Sequence, residues 1–168
     1  MPMTPREFWG ENYYQNPPLT PDMLRFSDSI LGFKLPSRLI ELLTFQNGGY
    51  TKGFGFPMSR RTSWAVDHIP MDDLFGIVPN MTSSAHNMVD TELLDVNLPC
   101  LPEKQVLLTG DGHWWITLDY RTVGEPSVLW ADVEMNEFLT VATSFEIFYS
   151  GLRPTSEFLP DTFETIQL

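Results

Sequence analysis

The chain of 168 residues is 42% hydrophobic and carries five Trp, five Tyr and 12 Phe, enough for one packed domain and too apolar for wholesale disorder. No run approaches the roughly 18 apolar residues of a membrane helix, and the opening MPMTPREFWGENYY has no apolar secretory stretch, so a cytoplasmic location and no membrane partner are expected. Of the net charge of −12, residues 1–61 contribute +2 (seven basic, five acidic) and residues 62–168 contribute −14 (three basic, 17 acidic), a field that opposes nucleic acid and favours a basic partner.

Pro5 to Asn16 reads as a helix anchored by Phe8, Trp9 and Tyr13 and stopped by Pro17-Pro18. A second helix starts at Thr20-Pro21-Asp22, with Thr20 as cap and Pro21 in the first turn. Its apolar side is Met23, Leu24, Phe26, Ile30 and Leu31, and Gly32 stops it. A third begins near Pro36, where Leu35, Leu39, Leu42 and Leu43 share one helical face. Asn47-Gly48-Gly49 is expected to close it in left-handed geometry.

Tyr50 to Pro57 is glycine-interrupted and aromatic; without a Gly-Lys-Ser/Thr ending it reads as an irregular or edge strand, not a phosphate loop. Trp64 to Ile69 reads as a strand, residues 71–77 as a short turn or helix followed by apolar residues, and Ser83 to Asp95 as a helix. Asn97 to Glu103, with two prolines, is a loop.

A meander then forms the centre of the chain. Val106 to Leu108 is a short strand, and Asp111-Gly112 signals a type I′ hairpin. Trp114, Ile116, Leu118 and Tyr120 alternate with Trp115, Thr117 and Asp119, so the two tryptophans lie on opposite faces. A third strand runs from Ser127 to Val133, and Glu137 to Val141 forms a further short one. Thr143 with Glu146 has capping-box spacing before a helix striped by Phe145, Phe148, Tyr149 and Leu152. Asp161 with Glu164 is placed to start a last helical turn.

Chemistry is sparse. Cys100 is the one cysteine, so there is no internal disulfide, and its thiol reads as inert. His68, His86 and His113 share no metal-ligand spacing. Asp72-Asp73 and Asp119 with Asp132 read as solvated carboxylates rather than an acid–base pair. No catalytic residue, metal site or cofactor is expected.

The order of motifs resembles the SUKH superfamily, which holds fungal cell-wall assembly regulators and many bacterial immunity proteins. The carriers are a Leu-Pro-x-x-Leu-Ile-x-Leu-Leu helix ending in Asn47-Gly48-Gly49, Ile69-Pro70 leading to Leu74-Phe75-Gly76-Ile77, and Gly110-Asp111-Gly112. Leu118-Asp119-Tyr120, Gly124-Glu125-Pro126 and the Ser144-Phe145-Glu146-x-Phe148 helix complete the series. The resemblance covers about residues 20–152; residues 1–19 read as an N-terminal helical extension and 153–168 as a C-terminal one. It implies a single α+β domain with a mainly antiparallel sheet and flanking helices. It also implies a non-enzymatic, protein-binding role, either neutralising a cognate, basic, nuclease-type toxin or serving as a regulatory adaptor. A small hydrolase using Cys100 or a carboxylate pair is the alternative from another class.

The expected binding surface combines negative charge with an aromatic anchor. Its candidates are Asp111, Trp115, Asp119, Asp132 and Glu134, with Asp67, Asp72 and Asp73 approaching the same side. Trp115 either anchors the partner there or packs beneath a helix or loop on the second face.

Overall fold

A computed structural model describes residues 2–79 and 86–158. Helix α1 (Pro5–Phe8) opens with a reciprocal cap between Thr4 and Glu7. It is shorter than the pattern to Asn16 suggests, because the chain leaves the helix at Trp9 and bridges to Thr51. Helix α2 (Pro21–Leu31) is capped by Thr20 and ends at Gly32 at φ 80°. Helix α3 (Ser37–Phe45) buries Leu39, Leu42 and Leu43, the face its spacing predicts.

Strands β1 (Gly49–Pro57) and β2 (His68–Leu74) pair antiparallel, and the two-residue β7 (Arg153–Pro154) covers the other edge of β1. The strand expected from Trp64 therefore begins four residues later and continues through Met71–Leu74, where a turn or short helix was expected. Residues 58–67 form a loop instead, with the Met58 amide donating to the Asp67 carbonyl. Helix α4 (Thr91–Asn97) is capped by Asp90. Residues 86–90 precede it as turn and bridge, and the first residues of the helix expected from Ser83 lie outside the described ones.

The second sheet is β3 (Gln105–Gly110), β4 (Trp114–Asp119), β5 (Ser127–Asp132) and β6 (Glu137–Ala142), consecutive and antiparallel as the alternation predicts. The hairpin turn is shifted by one residue. The Asp111 amide donates to the Trp114 carbonyl, so Gly112-His113 are the central pair. Gly112 takes φ 99° while Asp111 and His113 do not have positive φ, so the turn is not the type I′ expected, which needs positive φ at both central residues. Asp111 instead accepts the amides of His113 and Trp114 at its Oδ1. Helix α5 (Phe145–Gly151) is capped by Ser144, one residue after the expected Thr143.

These elements form an α+β architecture of two antiparallel sheets with helices. The sheets meet where the Phe75 amide donates to the Leu108 carbonyl. Both flanking segments pack on the same body. Phe8 and Trp9 are buried, with the Trp9 indole donating to the Leu42 carbonyl, and Phe158 stacks on His68. The turn expected at Asp161 lies outside the described residues.

Candidate functional site

The structure removes three of the eight candidate residues from the surface and scatters the other five. Trp115 is 1% exposed. Its ring lies over Gly110, where a Cβ would collide with it, and meets Phe75 edge-on at 6.1 Å. The second face of β4 is covered, so Trp115 is a core residue and not an anchor.

Asp119 and Asp132 are also buried. Arg121 binds Asp119 in a fork, with Nη2 2.7 Å from Oδ2, and Gln105 adds a hydrogen bond at 3.0 Å. Burial raises the Asp119 pKa, but the hydrogen bonds from Arg121 and Gln105 outweigh it and the net shift is downward. Asp132 accepts the amides of Glu134 and Met135 through Oδ1 and the Ser63 hydroxyl through Oδ2. Both carboxylates are structural, tying turns and loops to strand ends.

Asp111 and Glu134 stay at the surface at the tip of the second sheet, where the Val133 amide meets the His113 carbonyl. Glu134 lies 2.6 Å from His113 Nδ1, and its carboxylate raises the imidazole pKa. Met135 is exposed beside it. Trp64, Trp114 and Trp130 form a row behind this tip, with ring centroids 5.3 Å apart at each step.

Asp73 lies elsewhere, opposite Tyr50 in the β1–β2 ladder. Directly paired residues of an antiparallel ladder share a face. Asp73 Oδ1 accepts the Thr109 hydroxyl at 2.5 Å, and Oδ2 lies 2.5 Å from His86 Nδ1. Asp72, next along the strand, falls on the other face. It is exposed as a residue, but partial burial of its carboxyl and the charge of Asp73 push its pKa up. Asp67 pairs with His68 at 2.9 Å.

Around Asp73 the structure assembles an aromatic group that the strand alternation of the meander gives no hint of. Tyr14 lies 4.6 Å from the His86 ring, and its hydroxyl is 3.0 Å from that of Tyr50. Tyr13 sits edge-on to Tyr14 at 5.2 Å and tilted to Tyr50 at 6.1 Å. Tyr13 is 67% exposed and Tyr50 41%. The only sequence signal is composition: three of the five tyrosines are Tyr13, Tyr14 and Tyr50, the last two 36 residues apart, and tertiary contacts such as the Trp9–Thr51 bridge bring them together.

Two buried asparagines fix the segment that carries Asp73 onward. Asn47 accepts the Ile77 amide at 2.8 Å and donates to the Ile77 carbonyl at 2.7 Å. Asn87 does the same to Val78, at 3.0 and 2.8 Å. Between them Gly48 and Gly76 lie so close that a Cβ on either would strike the other's backbone neighbourhood. The Asn-Gly-Gly and Leu-Phe-Gly-Ile motifs are thus two halves of one junction.

Among the described residues, no group of three or more His, Cys, Asp or Glu side chains is placed to hold a metal ion. Cys100 is exposed on the short 3-10 turn Leu98–Cys100, while the three histidines are engaged with Asp67, Asp73 and Glu134. No described helix is long and apolar enough to cross a membrane.

The fold that carries these residues is a two-sheet α+β domain. The family model SUKH_6, described as SMI1-KNR4 cell-wall, matches residues 22–148, and the chain belongs to this family. Neither a curated protein nor a solved structure matches it.

Proposed function

We propose that the chain is a non-enzymatic protein-binding domain of the immunity type, which binds and occludes a cognate toxin domain with a basic surface. Membership of the SMI1-KNR4 family carries the reading. The balance of −14 over residues 62–168 supports a basic partner, since opposite fields speed encounter and resist wrong partners. With Trp115, Asp119 and Asp132 buried, the contact surfaces this reading takes forward are the Asp111–Glu134 tip and the tyrosine group beside Asp73.

The test searches the genes beside this one in the source genome for a toxin domain and pairs the chain with it. Co-expression is expected to restore growth of a host that the toxin arrests. Charge reversal at Asp111 and Glu134 is expected to slow association at low salt, with the difference shrinking as ionic strength rises. A toxin that stays active in the presence of the folded chain refutes the reading. The family description as cell-wall favours a second reading, a regulatory adaptor with an unrelated partner; binding to a cell-wall assembly component, with no protection against any toxin, supports that one.

A further inference from the structure

We propose that Tyr13, Tyr14 and Tyr50 form a platform that captures an arginine side chain of the basic protein partner, with Asp73 supplying the charge behind the rings. This deepens the protein-binding reading above and rests on it.

Three observations lead there. First, the rings are both offered and held. Tyr13 and Tyr50 are exposed, yet the arm that carries Tyr13 and Tyr14 is fixed by the Trp9–Thr51 bridge and by the Gly10 amide donating to the Tyr50 carbonyl at 2.9 Å. The Tyr14 and Tyr50 hydroxyls meet at 3.0 Å. The Tyr14 and Tyr50 rings have less side-chain freedom to lose on binding, the quality that makes tyrosine a frequent interface anchor.

Second, acidic groups flank the rings. Asp73, which is shared with His86, lies opposite Tyr50, and Glu11 is exposed two residues before Tyr13, against one exposed lysine, Lys52, two residues after Tyr50. Burial, the contact with Tyr50 and the charge of Asp73 all raise the Tyr14 pKa, so its hydroxyl stays neutral in ordinary buffers. An anionic ligand is opposed here, and a cation is drawn to the electron-rich ring faces.

Third, the geometry distinguishes the two cationic side chains. The rings are mutually tilted, 88° between Tyr13 and Tyr14 and 37° between Tyr14 and Tyr50, so they make a corner rather than a single plane. A planar guanidinium can stack on one wall and turn its N–H edge to hydroxyls or carboxylate; an ammonium, compact and strongly hydrated, gains less.

The experiment uses the full chain with its tyrosine rings isotopically labelled for NMR. The probe is a capped Gly-Arg-Gly peptide, compared with the citrulline, lysine and norleucine analogues and with chitobiose. Saturable shifts are expected at the Tyr13, Tyr14 and Tyr50 rings with the arginine peptide, with Tyr120 unmoved. The citrulline peptide, which keeps the shape and loses the charge, is expected to bind about tenfold more weakly. Tyr13→Ala, at a largely exposed ring that leaves the fold intact, and Tyr50→Ala are each expected to weaken the response at least about fivefold. Equal response to citrulline or norleucine overturns the proposal in favour of a neutral stacking surface. A response to chitobiose in place of arginine overturns it in favour of a carbohydrate platform. Unmoved tyrosine rings overturn it outright. The two readings separate in the toxin assay. Full toxin binding by Tyr13→Ala and Tyr50→Ala removes the platform and leaves the immunity reading standing. Arginine capture at the rings without binding of any toxin does the reverse.

Discussion

Replacing Trp115 by alanine tests whether the second face of the meander is core or contact surface. A fully buried tryptophan removes roughly 200 Å² from water, which at about 25 cal/mol per Å² corresponds to about 5 kcal/mol. The alanine that remains retains part of this, and neighbours collapse partly into the hole, so a loss of about 3–5 kcal/mol is expected. For a chain of this length each kcal/mol moves Tm by about 2–4 °C, so the variant should melt about 6–20 °C lower. Gly110→Ala provides an independent check on the same packing. Its methyl group would occupy the space of the Trp115 ring, so it should destabilise without removing any apolar atom. The assay is urea unfolding followed by far-UV circular dichroism, with stability read from the midpoint at constant m. Wild-type midpoints for both variants would refute the covered-face account and return Trp115 to the surface.

Two further outcomes follow from the same contacts. Asp119 titrates below its ordinary value in the folded state, so its stabilising contribution is complete above about pH 4 and is lost as pH falls through the lower folded pKa. Acid titration of Asp119→Asn should therefore show a shallower fall in stability below about pH 4 than the parent, and an identical fall would contradict the Arg121 pairing. Tyr120 is half-buried, stacked on Phe33 at 4.3 Å with its hydroxyl donating to the Lys34 carbonyl at 2.6 Å. Tyr120→Phe should cost about 1 kcal/mol and Tyr120→Ala about 2 kcal/mol, less than a fully enclosed ring would, with equal denaturation midpoints for the two variants counting against this division.

Elements with a strong local period were legible in the sequence. The leucine face of α3 and the alternation through β4 fixed both their type and their pairing, because one face of each must be buried wherever it lies. Trp115 exposes the limit of that logic. Alternation says that Trp114 and Trp115 point apart, but the covering of the second face comes from Phe75 and Gly110, which no local pattern joins to it. The carboxylates show a second limit. Asp119 and Asp132 look like surface acids in a list of charges, yet Arg121 and Gln105 hold the first, and backbone amides and Ser63 the second. Their burial is decided by those partners, some near and some distant in the chain. The tyrosine group depends on tertiary assembly alone, since it unites an N-terminal arm, a strand and His86.

Asn47 decides between two explanations of the Asn-Gly-Gly motif. As a helix stop, Asn47 would adopt left-handed backbone, and glycine would serve as well or better. The structure places it outside that region; Gln46 is the C-cap, and the left-handed φ values begin at Gly48, at 85°. The Asn47 side chain instead mimics a neighbouring strand toward Ile77 and adds a hydrogen bond to the Pro17 carbonyl at 2.9 Å. Its removal leaves buried Ile77 groups without partners, each worth about 1–3 kcal/mol and not additive, so Asn47→Ala should cost about 3 kcal/mol. Asn47→Gly should cost at least as much, whereas a helix-stop role would make it neutral. The arm bearing Tyr13 and Tyr14 is tied to the same side chain through the Pro17 carbonyl, beside a bond from Asn16 to the Asn47 backbone carbonyl that the substitution leaves in place. Hydrogen exchange at residues 13–16 should therefore rise in Asn47→Ala along with the loss of stability. A stable Asn47→Gly protein with unchanged exchange in this arm would sink the junction and restore the helix stop.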